Sequence, residues 1–358
     1  MGTIRFLLAI SILITHSAPL LGVSMLNGDM AVICFFIISG FLMTMILETK
    51  YLDRTKIYYI NRLLRIYPPY IAAMLFAAII FYIFPNGHHD PYKALGNLLR
   101  SENYELFWSA IVSNLTLVGA EFSRYINVKD SGEILFPNFA YRGQGSGAHN
   151  FLFVPQAWTL PLELMFYFLA PLVVRLRTRS IAGLTFAVGL AYYLTWQIAR
   201  FKNIPLETSA FFPFQLVYFL FGSLAYRAMG YLDKTLKADI AWTQHIPTLS
   251  FVVAFVLIFS AYEGLRVLEL SAEYLYLLFA ICIPGVFIFA RDSVFDNAIG
   301  EYSFPIYLFH YPIAKGADLF VSPSMEGWFT LVLTFVISAI YVHLFDRRVQ
   351  KIRRSIAS

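Results

Sequence analysis

Apolar runs of about twenty residues recur along the whole chain, and shorter polar segments separate them. A run of this length is sufficient for a helix to cross the hydrocarbon core of a bilayer. A shorter apolar stretch at 106–120 predicts a re-entrant or interfacial helix. The longer runs predict ten membrane-spanning helices, at 3–23, 29–47, 66–84, 155–174, 180–199, 211–229, 247–262, 272–290, 302–320 and 328–345.

A long polar segment, at about 85–154, separates the third and fourth predicted spans and contains many Pro, Gly, His and Asn residues. In hydrocarbon its run GQGSGAHN, at 143–150, would leave backbone hydrogen-bonding groups without partners. We therefore expect an extracytoplasmic or re-entrant loop here. Together with a basic tail at about 346–358, the loop and the spans make up a single membrane domain over 1–358.

The amino-acid composition changes little in this picture but excludes a water-soluble fold. Hydrophobic residues make up 59% of the 358 residues and charged residues 14%, and the mean hydropathy is +0.64. A soluble globular protein has about 25% charged residues. The two cysteines, Cys34 and Cys282, both lie in apolar runs, and their spacing predicts neither a disulfide framework nor a metal site.

The distribution of lysine and arginine predicts the orientation, because short cytoplasmic loops retain these residues. With the amino terminus inside, most of the 27 basic residues fall in loops and tails on that side. We therefore expect both termini to be cytoplasmic, and the net charge of +5 reflects topology rather than nucleic-acid binding. The predicted fold is an all-α integral membrane protein with about ten transmembrane helices that enclose a central cavity.

Two ionisable residues, Arg5 and His16, lie eleven positions apart in the first predicted span. Each costs a few kcal/mol to insert in a membrane, so such residues are informative. At 100° per residue they share one stripe of the helix, about 16 Å apart along its axis. The structural alternative is an arginine that snorkels to the surface and a histidine that bonds to a neighbouring helix. The shared stripe favours a functional role.

Two further arginines, Arg62 and Arg65, are spaced i and i+3 at the start of the third predicted span, within RTKIYYINRLLRIYPPY at 54–70. This spacing places both on one helix face, where two guanidinium groups suit a phosphate. The alternatives are the ordinary excess of positive charge in cytoplasmic segments and the binding of anionic lipid headgroups.

The fourth predicted span contains a buried carboxylate, Glu163, with Tyr167 one turn further on, in QAWTLPLELMFYFLAP at 156–171. A carboxylate at this depth must face the bundle interior or a wet cavity, and it requires a partner. A clamp to a basic residue of another helix is the structural alternative. In the second span, Ser39-Gly40 is a pair of small residues that allows another backbone to approach closely.

The ninth predicted span carries three polar residues, Ser303, Tyr307 and His310, at i, i+4 and i+7. They lie on roughly one face of a helix that Pro305 and Pro312 bend. A lone buried histidine is more often structural, but the other polar residues on this face favour a cavity.

Together these residues resemble the motifs of acyltransferase family 3, the integral-membrane O-acetyltransferases of sugars and polysaccharides in bacteria. The resemblance covers almost the whole chain. Its pieces, in family order, are Arg5-x10-His16, FFIISGFL at 35–42, Arg62-Leu-Leu-Arg65, WTLPLELMFY at 158–167 and IYLFH at 306–310. The chain departs from the family at Ala31-Val32-Ile33, where related proteins often have Gly-Val-Asp. We expect the stand-alone form, without the extra esterase-like domain of some relatives.

The resemblance implies transfer of an acyl group, most often acetyl, from cytoplasmic acyl-CoA to a hydroxyl of a cell-surface glycan or glycolipid. The site residues that it implies are catalytic His16, donor-binding Arg5, Arg62 and Arg65, and cavity-lining Trp158, Glu163 and His310; we add Ser39, Tyr167 and Tyr307 to the cavity. Acyl-CoA is then a substrate, and no permanently bound cofactor and no metal is expected. The location would be the bacterial inner membrane, with the bilayer, the glycan acceptor and glycan-assembly proteins as partners.

The residues themselves suit this chemistry. A hydroxyl that attacks a thioester needs a base, and a histidine can supply one. We hypothesise that Glu163 orients His16, as a carboxylate does in a catalytic dyad, and that the arginines and the imidazole face one continuous passage. No Ser or Cys stands in a recognisable nucleophile motif, which favours direct transfer over an acyl-enzyme.

Other interpretations stay open at this point, as do the acceptor, the length of the acyl group and the oligomeric state. A transporter or flippase of a lipid-linked sugar also requires buried charges and an aromatic-lined cavity. Transporters often show internal pseudo-symmetry, and no repeat relates the two halves of this sequence. In a third interpretation, a non-catalytic membrane scaffold, Arg62, Arg65 and His16 would all be dispensable.

Overall fold

The computed structural model describes residues 1–18, 25–85, 89–129, 133–135, 146–204, 207–236, 246–259 and 272–357. Within these ranges the protein is mostly helical. The α-helices are α1 (Gly2–His16), α2 (Gly28–Thr49), α3 (Thr55–Ile83), α4 (Pro91–Arg100), α5 (Tyr104–Thr116), α6 (Thr159–Arg175), α7 (Thr178–Phe201), α8 (Phe212–Leu236), α9 (Ile246–Phe259), α10 (Ala272–Ala290), α11 (Val294–Gly300), α12 (Ser303–Ala317), α13 (Pro323–Tyr341) and α14 (Arg347–Ala357).

Six helical segments in the described residues are long and apolar enough to cross a membrane. They are Gly28–Thr49, Thr55–Ile83, Pro155–Arg175, Thr178–Phe201, Ala272–Ala290 and Pro323–Ile356, of which the last runs from α13 into α14. Each predicted span coincides in position with a helix, although the ends of two spans, 19–23 and 260–262, lie outside the described residues. The structure is therefore that of a helical membrane protein.

Helix α3 begins at Thr55, eleven residues before the start of the third predicted span, so the predicted start was wrong. Its first turns are rich in basic and polar residues, which hydropathy does not detect as part of a span. The helix also continues through Pro68 and Pro69, although each proline removes a backbone donor. As a result, Arg62 and Arg65 lie inside a continuous helix rather than at its first turn.

A small antiparallel sheet lies within the loop predicted at about 85–154, and the all-α prediction did not include it. Its strands are β1 (Asn127–Val128), which pairs with both β2 (Ile134–Leu135) and β3 (Ser146–Gly147). The apolar stretch at 106–120 contains most of α5, and a 3₁₀ turn follows at Ala120–Arg124. Residues 136–145, which include the start of the GQGSGAHN run, lie outside the described residues.

Helix α1 packs against α2 on one side and α12 on another. Helix α12 also packs on α3 and α13, and α6 packs on α2 and α3. Buried side chains such as Leu8, Phe36, Phe166 and Tyr307 belong to one apolar cluster that joins these helices. The helices that carry the predicted site residues therefore surround a common region.

Two glycines allow α2 and α8 to pack backbone against backbone. A Cβ atom at Gly40 would overlap the carbonyl oxygen of Phe219, and one at Gly222 would overlap the carbonyl oxygen of Ile37. Because the obstacle is backbone in both cases, it cannot rotate away as a side chain can. The close approach predicted at Ser39-Gly40 is confirmed.

The carboxylate of Asp296, in α11, caps the amino end of α1. It accepts hydrogen bonds from the backbone amides of Gly2 at 2.6 Å and Thr3 at 2.8 Å. The start of a helix leaves four such amides without partners, and a negative charge there also interacts favourably with the helix dipole. A Cβ atom at Gly300 would lie 2.6 Å from the Cα atom of Gly2 and 2.8 Å from the Arg5 guanidinium, so α11 lies close against the start of α1 beside Arg5.

His89, which follows α3 outside the predicted spans, is buried between the loop and α12. Its ring nitrogens lie 3.2 Å from the side-chain oxygen of Asn150 and 3.1 Å from the carbonyl oxygen of Leu152. Its ring also packs edge-on against Tyr311, with the ring centres 5.1 Å apart. Burial lowers the pKa of His89 to about 4, although the hydrogen bonds to Asn150 and Leu152 oppose this shift.

We expect Gly40→Ala to destabilise the protein, because the added methyl group would overlap the backbone of α8. The free energy of unfolding should fall by about 1–3 kcal/mol, the usual range for overpacking, and the melting temperature in detergent should fall with it. Gly183→Ala in α7 is the control, since nothing lies within 4 Å of a Cβ atom there. Equal melting temperatures for the two variants would contradict the packing described here.

The low pKa of His89 predicts a loss of stability in acid. Below the ordinary histidine pKa of 6.5 the unfolded chain binds a proton that the folded protein binds only near pH 4. The contribution of His89 is therefore complete above pH 6.5 and decreases as the pH falls toward 4. The fall in melting temperature over this range should be smaller in His89→Gln, whereas His343→Gln, at an exposed histidine, should behave as wild type. Identical pH profiles for all three proteins would refute this account.

Candidate active site

Most of the predicted site residues line one cavity of about 120 Å³ among α1, α2, α3, α6 and α12. We call it the arginine cavity. Its polar lining consists of Arg5, Ser39, Arg62, Arg65, Thr159, Glu163, Tyr167, Ser303 and Tyr307. Five helices, three consecutive ones from the start of the chain and two from later in it, thus contribute polar groups to one space.

Aromatic rings lie against two of the arginines. The guanidinium carbon of Arg62 lies 5.9 Å from the ring centre of Tyr58 and 6.0 Å from that of Tyr167. The guanidinium carbon of Arg65 lies 5.6 Å from the ring centre of Phe304. Contacts of this kind hold a cation in place through the ring quadrupole without neutralising its charge.

In the part of the chain that the structure describes, Arg5, Arg62 and Arg65 form no ion pair with a carboxylate. By contrast, Arg227 pairs with Glu48 at 2.6 Å. The Nε atoms of Arg5 and Arg62 are also buried and have no hydrogen-bond partner among those residues. Buried donors without partners are rare in native proteins. Three guanidinium groups without a carboxylate partner, two of them with a buried unbonded Nε atom, suit an anionic ligand.

Glu163 lies in the arginine cavity and not beside His16. Its Oε1 atom accepts a hydrogen bond from the Ser39 hydroxyl at 2.6 Å, and its Oε2 atom accepts one from the Tyr167 hydroxyl at 3.3 Å. Both carboxylate oxygens therefore have local partners. The hypothesised pairing of Glu163 with His16 is not formed.

His16 instead contacts His310, which is completely buried. The Nε2 atom of His310 lies 3.2 Å from Nδ1 of His16, and its Nδ1 atom lies 3.2 Å from the carbonyl oxygen of Ile306. A carbonyl oxygen only accepts, so in a neutral His310 the hydrogen is on Nδ1 and Nε2 is an acceptor. His16 then donates from Nδ1, which also lies 3.0 Å from the carbonyl oxygen of Ile12. This leaves Nε2 of His16 as the nitrogen with a lone pair.

His16 and Trp158 line a second cavity, of about 170 Å³. We call it the histidine cavity. Its other polar lining residues are Thr15, Asn27, Asp29, Arg124, Gln156 and Tyr307. The guanidinium carbon of Arg124 lies 4.8 Å from the ring centre of Trp158, and its Nη2 atom lies 3.9 Å from the carboxylate of Asp29. Such a combination of an aromatic ring, polar groups and a basic nitrogen suits a ligand that carries hydroxyl groups.

Val32 and Tyr307 line both cavities, and we call this pair, where the cavities meet, the septum. The Tyr307 hydroxyl donates to the backbone carbonyl of Gln156 and accepts from the Thr159 hydroxyl at 2.7 Å. The two cavities are therefore adjacent but distinct in this structure. The arginines and His16 thus line two cavities that share two residues, and the single continuous passage between them stays a prediction.

Sequence reasoning missed several residues of the histidine cavity. Asp29 lies in the first turn of α2, where its backbone amide donates to the capping side chain of Asn27, and so it resembles an ordinary acidic helix start. Arg124 lies in the long loop, where no hydrophobic period indicates which residues face inward. Neither the apolar period of the second predicted span nor the motif that contains Trp158 indicates that Asp29 and Arg124 line the same cavity.

Comparisons with known proteins agree with the motifs. A family model described as an acyltransferase domain matches residues 2–343, a range that includes every residue of both cavities. An uncharacterized protein of Aquifex aeolicus (strain VF5) is 25% identical over 213 residues, which cover 56% of this chain and 89% of that protein. No solved structure matches the chain. Because the family model covers nearly the whole chain, the protein belongs to acyltransferase family 3 and is a membrane acyltransferase.

Proposed function

We propose that this membrane acyltransferase moves an acyl group, most often acetyl, from a coenzyme A thioester to a hydroxyl of a glycan or glycolipid. The observation that carries the proposal is the pair of adjacent cavities, one with unpaired guanidinium groups and the other with a histidine whose Nε2 lone pair is available. The first suits a phosphate-bearing donor, and the second suits a hydroxyl-bearing acceptor.

On the donor side, Arg5, Arg62 and Arg65 bind the phosphates of coenzyme A. Guanidinium groups without carboxylate partners would bind these phosphates without first breaking an ion pair. The narrow pantetheine arm then extends along the arginine cavity toward the septum at Val32 and Tyr307. We further propose that the donor enters from the cytoplasmic side, where both chain termini lie in a ten-span topology in the bacterial inner membrane.

On the acceptor side, Trp158 offers an apolar ring face to a sugar, and His16 acts as the general base. Its Nε2 atom takes the proton of the acceptor hydroxyl while the hydroxyl oxygen attacks the carbonyl carbon of the thioester. A C–O bond forms, and the tetrahedral intermediate then expels the coenzyme A thiolate as the C–S bond breaks. The thiolate receives the proton from the His16 imidazolium, which restores the neutral ring.

His310 and Glu163 have different positions in this scheme. His310 accepts from Nδ1 of His16 and thereby holds the imidazole in the tautomer that a base requires. Glu163, bonded to Ser39 and Tyr167, shapes the wall of the donor cavity instead of orienting the base. Transfer takes place at the septum, so the Tyr307 side chain has to move before the thioester and the acceptor meet.

Direct transfer is favoured over an acyl-enzyme because neither cavity is lined by a cysteine, and both lining serines already donate elsewhere, Ser39 to Glu163 and Ser303 to the carbonyl oxygen of Gly300. The transporter interpretation is less favoured, because the family to which the chain belongs consists of acyltransferases. Glycan-assembly proteins remain the proposed partners, since they supply or use the acylated glycan.

Substitution of His16 tests the general base. His16→Gln should reduce transfer of labelled acetyl from acetyl-CoA to glycan, in inverted membrane vesicles, by about 10²- to 10⁴-fold, the usual contribution of such a base. The protein should still reach the membrane with an unchanged melting temperature. His343→Gln removes an exposed histidine and should leave transfer unchanged. Full transfer by His16→Gln would disprove the assigned mechanism.

Because His310 accepts from Nδ1 of His16, substitutions at position 310 should have a graded effect. His310→Leu cannot accept from His16 and should lower kcat by about 10- to 100-fold, as the loss of an orienting hydrogen bond commonly does, with little change in the KM for acetyl-CoA. His310→Gln offers an amide oxygen as acceptor and should retain more of kcat than His310→Leu. Equal losses in both variants, or a loss confined to KM, would rule out the positioning role.

A further inference from the structure

Helix α14 places one arginine of the basic tail against α3, outside the 2–343 range that the family model matches. Arg353 lies on the face of α14 that is partly buried, together with Val349, Gln350 and Ile356. The other basic residues of α14, which are Arg347, Arg348, Lys351 and Arg354, are exposed. Arg353 is therefore set apart from its basic neighbours by the direction that it faces.

A single buried side chain, Asn61, joins Arg353 to the donor-binding arginines. The Nε atom of Arg353 donates to Oδ1 of Asn61 at 2.9 Å, and the Asn61 amide donates to the carbonyl oxygen of Arg353 at 3.0 Å. The same Oδ1 atom accepts from Nη2 of Arg62 at 3.5 Å. Two guanidinium groups, one from α3 and one from α14, thus converge on one neutral oxygen.

This convergence is electrostatically unfavourable unless an anion is bound. Two like charges at this separation repel, and one amide oxygen offsets only part of that repulsion. Among the described residues no carboxylate forms an ion pair with Arg353 or Arg62, and Asp346 instead accepts from Gln350 at 2.7 Å. The Nε atom of Arg62 is buried without a partner within the same residues. A phosphate oxygen would satisfy these groups.

We propose that Arg353 is a further donor-binding residue, which holds a phosphate group of the coenzyme A thioester together with Arg62. This inference rests on the proposed function. It assigns α14 a role in substrate binding beyond that of a basic tail that faces lipid headgroups. The exposed basic residues of α14 remain available for the membrane surface.

The test compares Arg353→Ala with Arg354→Ala, its exposed neighbour, in the full chain reconstituted in phosphatidylcholine nanodiscs. Arg353→Ala should weaken acetyl-CoA binding by about 10-fold or more, as expected for a charge-assisted hydrogen bond. Arg354→Ala should bind as wild type. Arg353→Gln retains an amide that can bond to Asn61 without the charge, so it should fold normally and still bind acetyl-CoA weakly.

A donor that lacks the nucleotide phosphates distinguishes a loss of phosphate binding from a loss of folded structure. Acetyl-pantetheine carries the same thioester, so its transfer should be unaffected in Arg353→Ala. An equal loss with both donors, accompanied by a lower melting temperature in Arg353→Gln, would show a structural role and overturn the proposal. An effect that appears only when anionic phosphatidylglycerol is added to the nanodiscs would assign Arg353 to lipid and overturn it as well.

The Arg62→Ala variant separates a failure of the Arg353 assignment from a failure of the proposed function. If Arg62→Ala weakens acetyl-CoA binding and Arg353→Ala does not, the role of Arg353 is wrong and the proposed function stands. If the wild-type protein does not bind acetyl-CoA, the proposed donor is wrong, and the assignment of Arg353 fails with it.

Discussion

The placement of helix α1 is the constraint on which both cavities depend, because one rigid helix carries Arg5 near its start and His16 at its end. The Asp296 carboxylate holds the first turn through two backbone amides, and His310 contacts the last turn through the His16 ring. Between these two anchors the α-helical rise fixes the separation of the two groups at about 16 Å. A ligand that contacts both side chains must therefore span about 16 Å.

Hydropathy was sufficient to predict where most helices lie, since the apolar runs coincide with helices along the described chain. It could not predict that α3 begins at Thr55, because the first turns of that helix are rich in basic and polar residues, and one of these, Asn61, bonds to Arg353 of α14. The pair of small residues at Ser39-Gly40 correctly indicated a close contact between helices. Gly40 predicted a close backbone approach, and its partner proved to be α8.

The residue types indicated which side chains line the site, but only the structure shows which of these side chains are hydrogen-bonded to one another. Arg62, Arg65 and Glu163 share a cavity as the motifs suggested, yet Glu163 is bonded to Ser39 rather than to His16. Spacing along one helix indicates which residues share a face and says nothing about which neighbouring helix that face meets. For the same reason no sequence pattern connected Asn61 with the tail residue Arg353, almost the full chain length away.

The septum formed by Val32 and Tyr307 has a consequence for the cell as well as for the reaction. A protein that admits a water-soluble substrate from one side of a bilayer and a second substrate from the other risks becoming a pore. Val32 and the Tyr307 side chain, whose hydroxyl is bonded to the backbone carbonyl of Gln156, lie where the two cavities meet. If the two substrates enter from opposite sides as proposed, the same two side chains also limit a polar path for protons and ions across the bilayer.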